Sequence, residues 1–315
     1  MHSCLLSLLL AAALPEAPKE AQGELRVTLL GTGNPRPSVE RSGPASLVEA
    51  GGHRLLIDAG RGATVRLSEI GLLASEVDAV FLTHLHSDHV VGLPDLWLTG
   101  WLFGRGHALE LVGPLGTERL AQGLQEAFAF DVHMRRDVDE HLSPEGVQLR
   151  VHEVSLGEAY RTPDGLVVSA FPVDHGPVRP ALGFRVEYHG RSVVFSGDTG
   201  PSESLVQHAR GVDVLVHEVL SEELERTKGL TPAQSREILA RHTTIPQATA
   251  VFARVRPRLA VYSHIVPSPA REEDLLPLTR AGYDGPVVAG FDLMEICIGE
   301  TIAVRDRRKG REGVP

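Results

Sequence analysis

The residues best equipped for chemistry stand together in one run, Thr83-His84-Leu85-His86-Ser87-Asp88-His89. Imidazole and carboxylate are donors that suit zinc, and they also suit manganese and iron(II). The run directly follows an apolar stretch at residues 77–82. In extended backbone, residues two apart project to the same side. His84 and His86 can therefore converge on one metal ion. If the chain then turns into a helix, Asp88 and His89 can face a second. Three more segments have a similar character: Val173-Asp174-His175-Gly176, Phe195-Ser196-Gly197-Asp198-Thr199-Gly200 and Tyr262-Ser263-His264. Taken singly, each holds an ordinary polar residue beside a turn. Taken together, they share one position, the C-terminal end of an apolar stretch, where layered α/β folds collect their chemistry.

The elements that must position these residues follow from hydrophobic patterning. Strands are predicted at residues 25–30, 46–49, 54–57, 77–82 and 109–112, with helices at 63–70, 93–103 and 118–128. The second half repeats the style. Its strands fall at 148–154, 166–172, 184–188, 192–196, 212–216, 259–263, 287–289 and 293–298. Its helices fall at 232–241, 246–254 and 272–281, and the first two begin with proline near the first turn. No low-complexity linker divides the chain. The pattern predicts one α/β domain over residues 23–304, a four-layer αββα sandwich of two packed mixed sheets with helices on the outer faces.

Composition narrows the function. A chain of 315 residues that is 42% hydrophobic can bury a large core without staples. Two cysteines, Cys4 and Cys297, exclude a disulfide scaffold and a cysteine-built zinc site. A net charge of −10 argues against a protein that lives on the phosphate backbone of nucleic acid. Residues 1–22 contain a short apolar run that looks like a secretory signal peptide, although no Lys or Arg precedes the run. It is too short to span a bilayer, and no other segment is suited to a stable membrane span. A periplasmic or secreted location follows if the run is a leader, and a cytoplasmic one if it is not. Residues 305–315 are charged and are expected to be a disordered tail.

The run His84-Leu85-His86-Ser87-Asp88-His89, followed in order by His175, Asp198 and His264, resembles the metallo-β-lactamase superfamily from about residue 25 to residue 298. The segment Leu55-Leu56-Ile57-Asp58-Ala59-Gly60 is similar to that family's first motif, in which the aspartate supports a ligand from behind. The resemblance implies two metal ions, expected to be Zn2+, with Mn2+ or Fe2+ as alternatives. One would be held by His84, His86 and His175, and the other by Asp88, His89 and His264, with Asp198 bridging. Val216-His217-Glu218-Val219 and His242-Thr243-Thr244-Ile245-Pro246 resemble the ribonuclease Z branch. That likeness implies that Glu218 orients His242, which protonates the leaving group, while Asp88 and Asp198 hold a nucleophilic hydroxide.

One departure redirects the expectation. Transfer-RNA processing enzymes of that branch carry a long arm between the third and fourth metal motifs. Here only 23 positions separate His175 from Asp198, and a tight hairpin around His189-Gly190 fills them. Together with the acidic charge and the leader-like start, this points to arylsulfatase-like or phosphodiesterase-like relatives. The expected substrate is a small-molecule phosphodiester or sulfate ester, with nucleic acid not expected as a partner. The alternatives are a transfer-RNA 3′-processing endonuclease and a lactonase or β-lactamase-type hydrolase. Trp97, Trp101, Phe128 and Phe130 are expected to line an aryl pocket, with Arg135 and Arg136 clamping the oxyanion. A homodimer is expected.

Overall fold

A computed structural model describes residues 24–226, 229, 231–267 and 270–308. In chain order its strands are β1 (Leu25–Gly31), β2 (Ala45–Ala50), β3 (His53–Ile57), β4 (Ala79–Phe81), β5 (Leu109–Gly113), β6 (Leu149–Glu153), β7 (Gly157–Arg161) and β8 (Val167–Pro172). There follow β9 (Leu182–Tyr188), β10 (Arg191–Phe195), β11 (Val214–Leu220), β12 (Leu259–Val266), β13 (Val287–Ala289), β14 (Met294–Ile298) and β15 (Ile302–Asp306). The helices are α1 (Ala63–Glu69), α2 (Ser87–Val90), α3 (Leu93–Leu102), α4 (Thr117–Ala127), α5 (Ala129–His133), α6 (Glu203–His208), α7 (Glu222–Arg226), α8 (Pro232–Leu239), α9 (Ile245–Val255) and α10 (Glu272–Arg280).

Eight strands form one sheet in the order β15-β14-β1-β2-β3-β4-β5-β6, and seven form another in the order β13-β12-β11-β10-β9-β8-β7. Each sheet contains a parallel block, β3 to β6 in the first and β10 to β13 in the second. Within each block the C-terminal strand ends share one edge.

Side-chain alternation explains the layers, because successive residues of a strand face opposite sides. In β4, Ala79 and Phe81 face the other sheet, while Val80 joins Leu82 toward the helices. In β12, Leu259 and Val261 face inward, while Ala260 and Tyr262 face the helices. Between the sheets, Phe81 and Phe184 meet edge to face at 5.5 Å. Leu67, Trp97 and Ala121 seat α1, α3 and α4 on the first sheet. Leu205, Phe252 and Leu275 seat α6, α9 and α10 on the second. The αββα sandwich is therefore the observed fold.

The differences from the expected elements are local. β7 has no buried residue, so it lacks the apolar signature that reveals a strand. β12 runs on to Val266, three residues past the expected end at 263. Residues 305 and 306, expected in a disordered tail, belong to β15, which pairs with β14 from Ile302↔Ile298 to Asp306↔Met294. Backbone pairing orders them despite their charge. The expected leader at residues 1–22 and the end of the tail lie outside the described residues. Among the described residues no helix is long and apolar enough to cross a membrane. The hairpin between β9 and β10 turns on His189 (φ 45°) and Gly190 (φ 77°). Two consecutive left-handed residues match the right-handed strand twist, so the connection needs no further chain.

Candidate metal centre

After β4 the chain leaves regular structure, bends at Thr83 and reaches His86, whose extended φ of −65° and ψ of 146° place it just ahead of α2. This change from extended to helical backbone divides the run into two sets of donors. His84 Nε2 lies 3.0 Å from His86 Nδ1, and His175 Nε2 lies 3.3 Å from the same atom. Asp198 Oδ2 is 3.8 Å from both His84 Nε2 and His175 Nε2. On the other side, Asp88 Oδ2 is 3.6 Å from His89 Nε2 and 3.3 Å from His264 Nε2. Asp198 reaches this set too, with Oδ1 3.4 Å from His89 Nε2 and Oδ2 3.3 Å from His264 Nε2. One carboxylate thus stands between two groups of donors.

Three observations show that these residues fit divalent metal ions. The first is lone-pair direction. His175 Nδ1 lies 2.9 Å from the Arg241 carbonyl oxygen, which can only accept. The proton is therefore on Nδ1, and Nε2 turns a lone pair to the centre. Burial pushes His175 down to about 4 and His84 well below its usual range, so both rings are neutral. The second is charge. His89 Nδ1 donates to Asp58 Oδ2 at 2.8 Å. Burial would lower His89, yet the Asp198 and Asp58 carboxylates outweigh it and hold the ring well above its usual range. The place favours a positive charge, and a metal ion supplies one by displacing the proton. The third is spacing. Donor separations of 3.0–3.8 Å bracket the roughly 3.4 Å between ligands of a tetrahedral ion held at about 2.1 Å. Among the described residues, His89 Nε2, His264 Nδ1 and Asp198 Oδ1 are buried without a hydrogen-bond partner.

His242 borders this centre. Its ring stacks on His264 at 5.7 Å and meets His175 edge-on at 5.1 Å. Its Nδ1 lies 2.8 Å from Glu218 Oε2, and the other oxygen of Glu218 accepts Thr199 N–H at 2.6 Å. Burial would lower His242, but the Glu218 carboxylate outweighs it through charge and hydrogen bond and raises it to about 9. His175 and His242 are therefore neighbours in opposite proton states. One anchors Nδ1 on a carbonyl and offers a lone pair. The other anchors Nδ1 on a carboxylate and keeps an N–H at Nε2.

Supporting residues lie beneath the centre. Asp58, in left-handed backbone at φ 59°, also accepts Thr83 N–H at 2.8 Å and the Thr83 hydroxyl at 2.9 Å. One carboxylate thus ties the exit of β3 to the start of the histidine run and orients His89. Sequence reasoning placed Asp58 but not Thr83, whose hydroxyl touches both Asp58 and His84 Nδ1. It also missed that the β12 histidine lies in a bulge. Glu218 pairs with Ser263 and Val219 with Ile265, so His264 is an extra residue, with φ 40°.

The expected aryl pocket is not at this centre. Trp97 and Trp101 are 1% and 2% exposed, and their indole N–H groups donate to the Val147 and Ser143 carbonyls. Both are core residues of α3. α4 starts at the C-terminal end of β5 and runs back along the sheet. Its eleven residues carry Phe128 about 16 Å from that end at ~1.5 Å per residue. Phe128 packs edge-on against Trp97 there. Phe130 is 79% exposed, and Arg135 and Arg136 pair with Asp131, Glu140 and Asp137. All six belong to the flank or foot of the first sheet, because helix direction, not sequence proximity, decides which end they reach.

Comparisons with known proteins agree with this geometry. Residues 53–265 match the family described as beta-lactamase superfamily domain. Ribonuclease Z of Mycobacterium bovis is 37% identical over 279 residues, covering 86% of this chain and 98% of that protein. The crystal structure of human tRNase Z, short form, superposes with a TM-score of 0.65 at 25% identity, covering 87% of this chain and 99% of that one. The metallo-beta-lactamase fold protein YhfI from Bacillus subtilis superposes with a TM-score of 0.68 at 18% identity, covering 87% and 99%, a likeness of fold.

Proposed function

The chain belongs to the metallo-beta-lactamase superfamily, and on that premise we propose that it is a phosphodiesterase of ribonuclease Z type that cuts transfer-RNA precursors at their 3′ side. It is a metal-dependent hydrolase with homologues named ribonuclease Z. The observation that carries the finer reading is the Glu218–His242 pair beside the two donor groups.

His84, His86 and His175 would hold one ion, Asp88, His89 and His264 the other, with Asp198 between them; zinc is the expected metal. When bound, the ions supply Lewis acidity that activates water and neutralises charge on the phosphoryl oxygens. The chain's own residues do the rest. Asp58 and the Arg241 carbonyl fix the rings of His89 and His175. Asp88 and Asp198 stand where the proton of an attacking water can be taken. His242 donates its Nε2 proton to the departing oxygen, and buried Glu218 holds the ring and its charge. A ribose alkoxide is a poor leaving group, so this acid is worth roughly 10²–10⁴-fold. A p-nitrophenolate leaving group needs little of it.

The missing arm does not oppose an RNA substrate, because the Mycobacterium bovis ribonuclease Z is matched over 98% of its own length. The −10 charge is a sum over the whole surface and does not describe the face of the centre. The earlier expectation against nucleic acid therefore loses its ground. A sulfate ester loses support with the displaced aryl pocket. A small phosphodiester remains the second reading, favoured by the two-residue turn between β9 and β10, which adds no substrate-gripping chain.

The deciding experiment gives the metal-loaded protein precursor transfer RNA and, separately, bis(p-nitrophenyl) phosphate. Endonucleolytic cut at the 3′ side is the expected result. Turnover of the small diester with intact RNA selects the second reading. Turnover of neither, with hydrolysis of a lactone or β-lactam, overturns both.

A further inference from the structure

We propose that Asn34 is a positioning residue that aims His264 at the metal centre by clamping the β-bulge in β12. The inference rests on the metal-binding reading of the centre.

The argument begins with strand parity. Ala260 and Tyr262 face the outer helices, and Leu259 and Val261 face the other sheet. In regular backbone, residue 264 would share the face of Tyr262, among the helices. It does not, because the extra residue between the Glu218↔Ser263 and Val219↔Ile265 pairs lets Ser263 and His264 line the same cavity with Asp198 and Glu218. Ile265 then returns to the helix-facing core. A bulge of this kind re-aims a side chain at the cost of a ladder position. Here it also forces His264 to φ 40°, a conformation costly for a side chain with a Cβ. Something must hold it.

The clamp comes from the loop that leaves β1. Ile265 N–H donates to the Thr32 carbonyl at 3.0 Å, and Asn34 Nδ2 donates to the Ile265 carbonyl at 2.7 Å. Both backbone groups of the residue after His264 are thus held by one tripeptide of the first sheet. The loop is itself fixed, since Asp292 accepts Thr32 N–H, the Thr32 hydroxyl and Ser42 N–H. Asn34 is 4% exposed, so its bond has no competition from water. This brace matters more for His264 than a ring anchor does for its counterparts. His89 and His175 have an oxygen partner at Nδ1, whereas His264 Nδ1 has none among the described residues. Its orientation rests on the backbone.

Asn34 makes a second bond that allows a clean test. Its Oδ1 accepts Arg36 N–H at 3.0 Å. Asn34→Asp keeps that turn, removes the donor to Ile265 and sets oxygen against oxygen. Asn34→Ala removes both. Zinc binding by wild type, Asn34→Asp, Asn34→Ala and His264→Ala is followed by chelator competition, with circular dichroism to confirm folding. Wild type is expected to bind two ions. Both Asn34 variants should keep one ion at wild-type affinity and bind the second at least tenfold more weakly, approaching His264→Ala, in line with the roughly 10–100-fold effect of groups that orient ligands. Equal weakening of both ions, or a lowered melting temperature with both affinities intact, assigns Asn34 a general structural role and overturns the inference. A wild type that binds no zinc overturns the metal reading, and this inference with it.

Discussion

The first sheet contributes its donors from one contiguous run, His84 to His89, which leaves a single strand and enters α2. The second contributes His175, Asp198 and His264 from the ends of β8, β10 and β12, and adds Glu218 from β11 and His242 from the segment before α9. In the first half, the spacing of one run sets which donors converge, and Asp58 braces the run from below. In the second half, each donor stands alone and needs its own brace. His175 has the Arg241 carbonyl, His242 has Glu218, and His264 has a clamped bulge. A contiguous motif economises on supports, whereas a dispersed set spreads the risk of misplacement over several.

Substitutions can break this contrast or make it sharper. Asp198→Ala should have the largest effect, because this residue serves both donor groups. Turnover is expected to fall to background, with fewer than two ions retained, measured as kcat/KM and metal content on the same sample. Next comes His242→Ala, which removes a proton donor and leaves every predicted metal ligand in place. It should cost about 10²–10⁴-fold on precursor RNA and far less on bis(p-nitrophenyl) phosphate, so the ratio of the two losses is the quantity to read. Equal losses would make His242 a metal ligand or a structural residue. Asp58→Asn tests the brace of the first half. Metal affinity should drop about 10–100-fold, with the ion beside His89 weakened most. Phe130→Ser and Arg136→Ala, at the foot of the first sheet, should leave kcat/KM within about twofold, since surface substitutions away from special features change stability by no more than about 0.5 kcal/mol. A larger loss would return these residues to the substrate surface.

Much of the centre was legible because its donors obey two local rules. Alternation in extended backbone paired His84 with His86, and the apolar stretches ending at His175, Asp198 and His264 showed a common edge. Legibility failed where the cause was tertiary. Nothing local says that α4 carries Phe128 away from the centre, so proximity in sequence to the histidine run was misleading for Trp97, Trp101 and Phe128. The bulge at His264 was equally hidden, since its partners are Thr32 and Asn34, more than 200 positions away. Asn34 itself read as part of a Gly-Thr-Gly-Asn-Pro turn, which it is, while its second bond crosses to the other sheet. β7 escaped notice because an exposed edge strand carries no apolar stripe.

The placement of β1 bears on how the protein is made. β1 lies between β2 and β14, with Leu25 opposite both Ala50 and Ile298. A chain growing from its N terminus has synthesised every candidate donor through His264 before it possesses Asp292 or β14. Until those residues emerge, the first strand lacks one neighbour and the loop bearing Asn34 lacks its anchor at Asp292. Contacts of such long sequence separation form late in folding. A chain that stopped short of Asp292 would carry all the candidate donors but lack the anchor of the loop that clamps the bulge at His264.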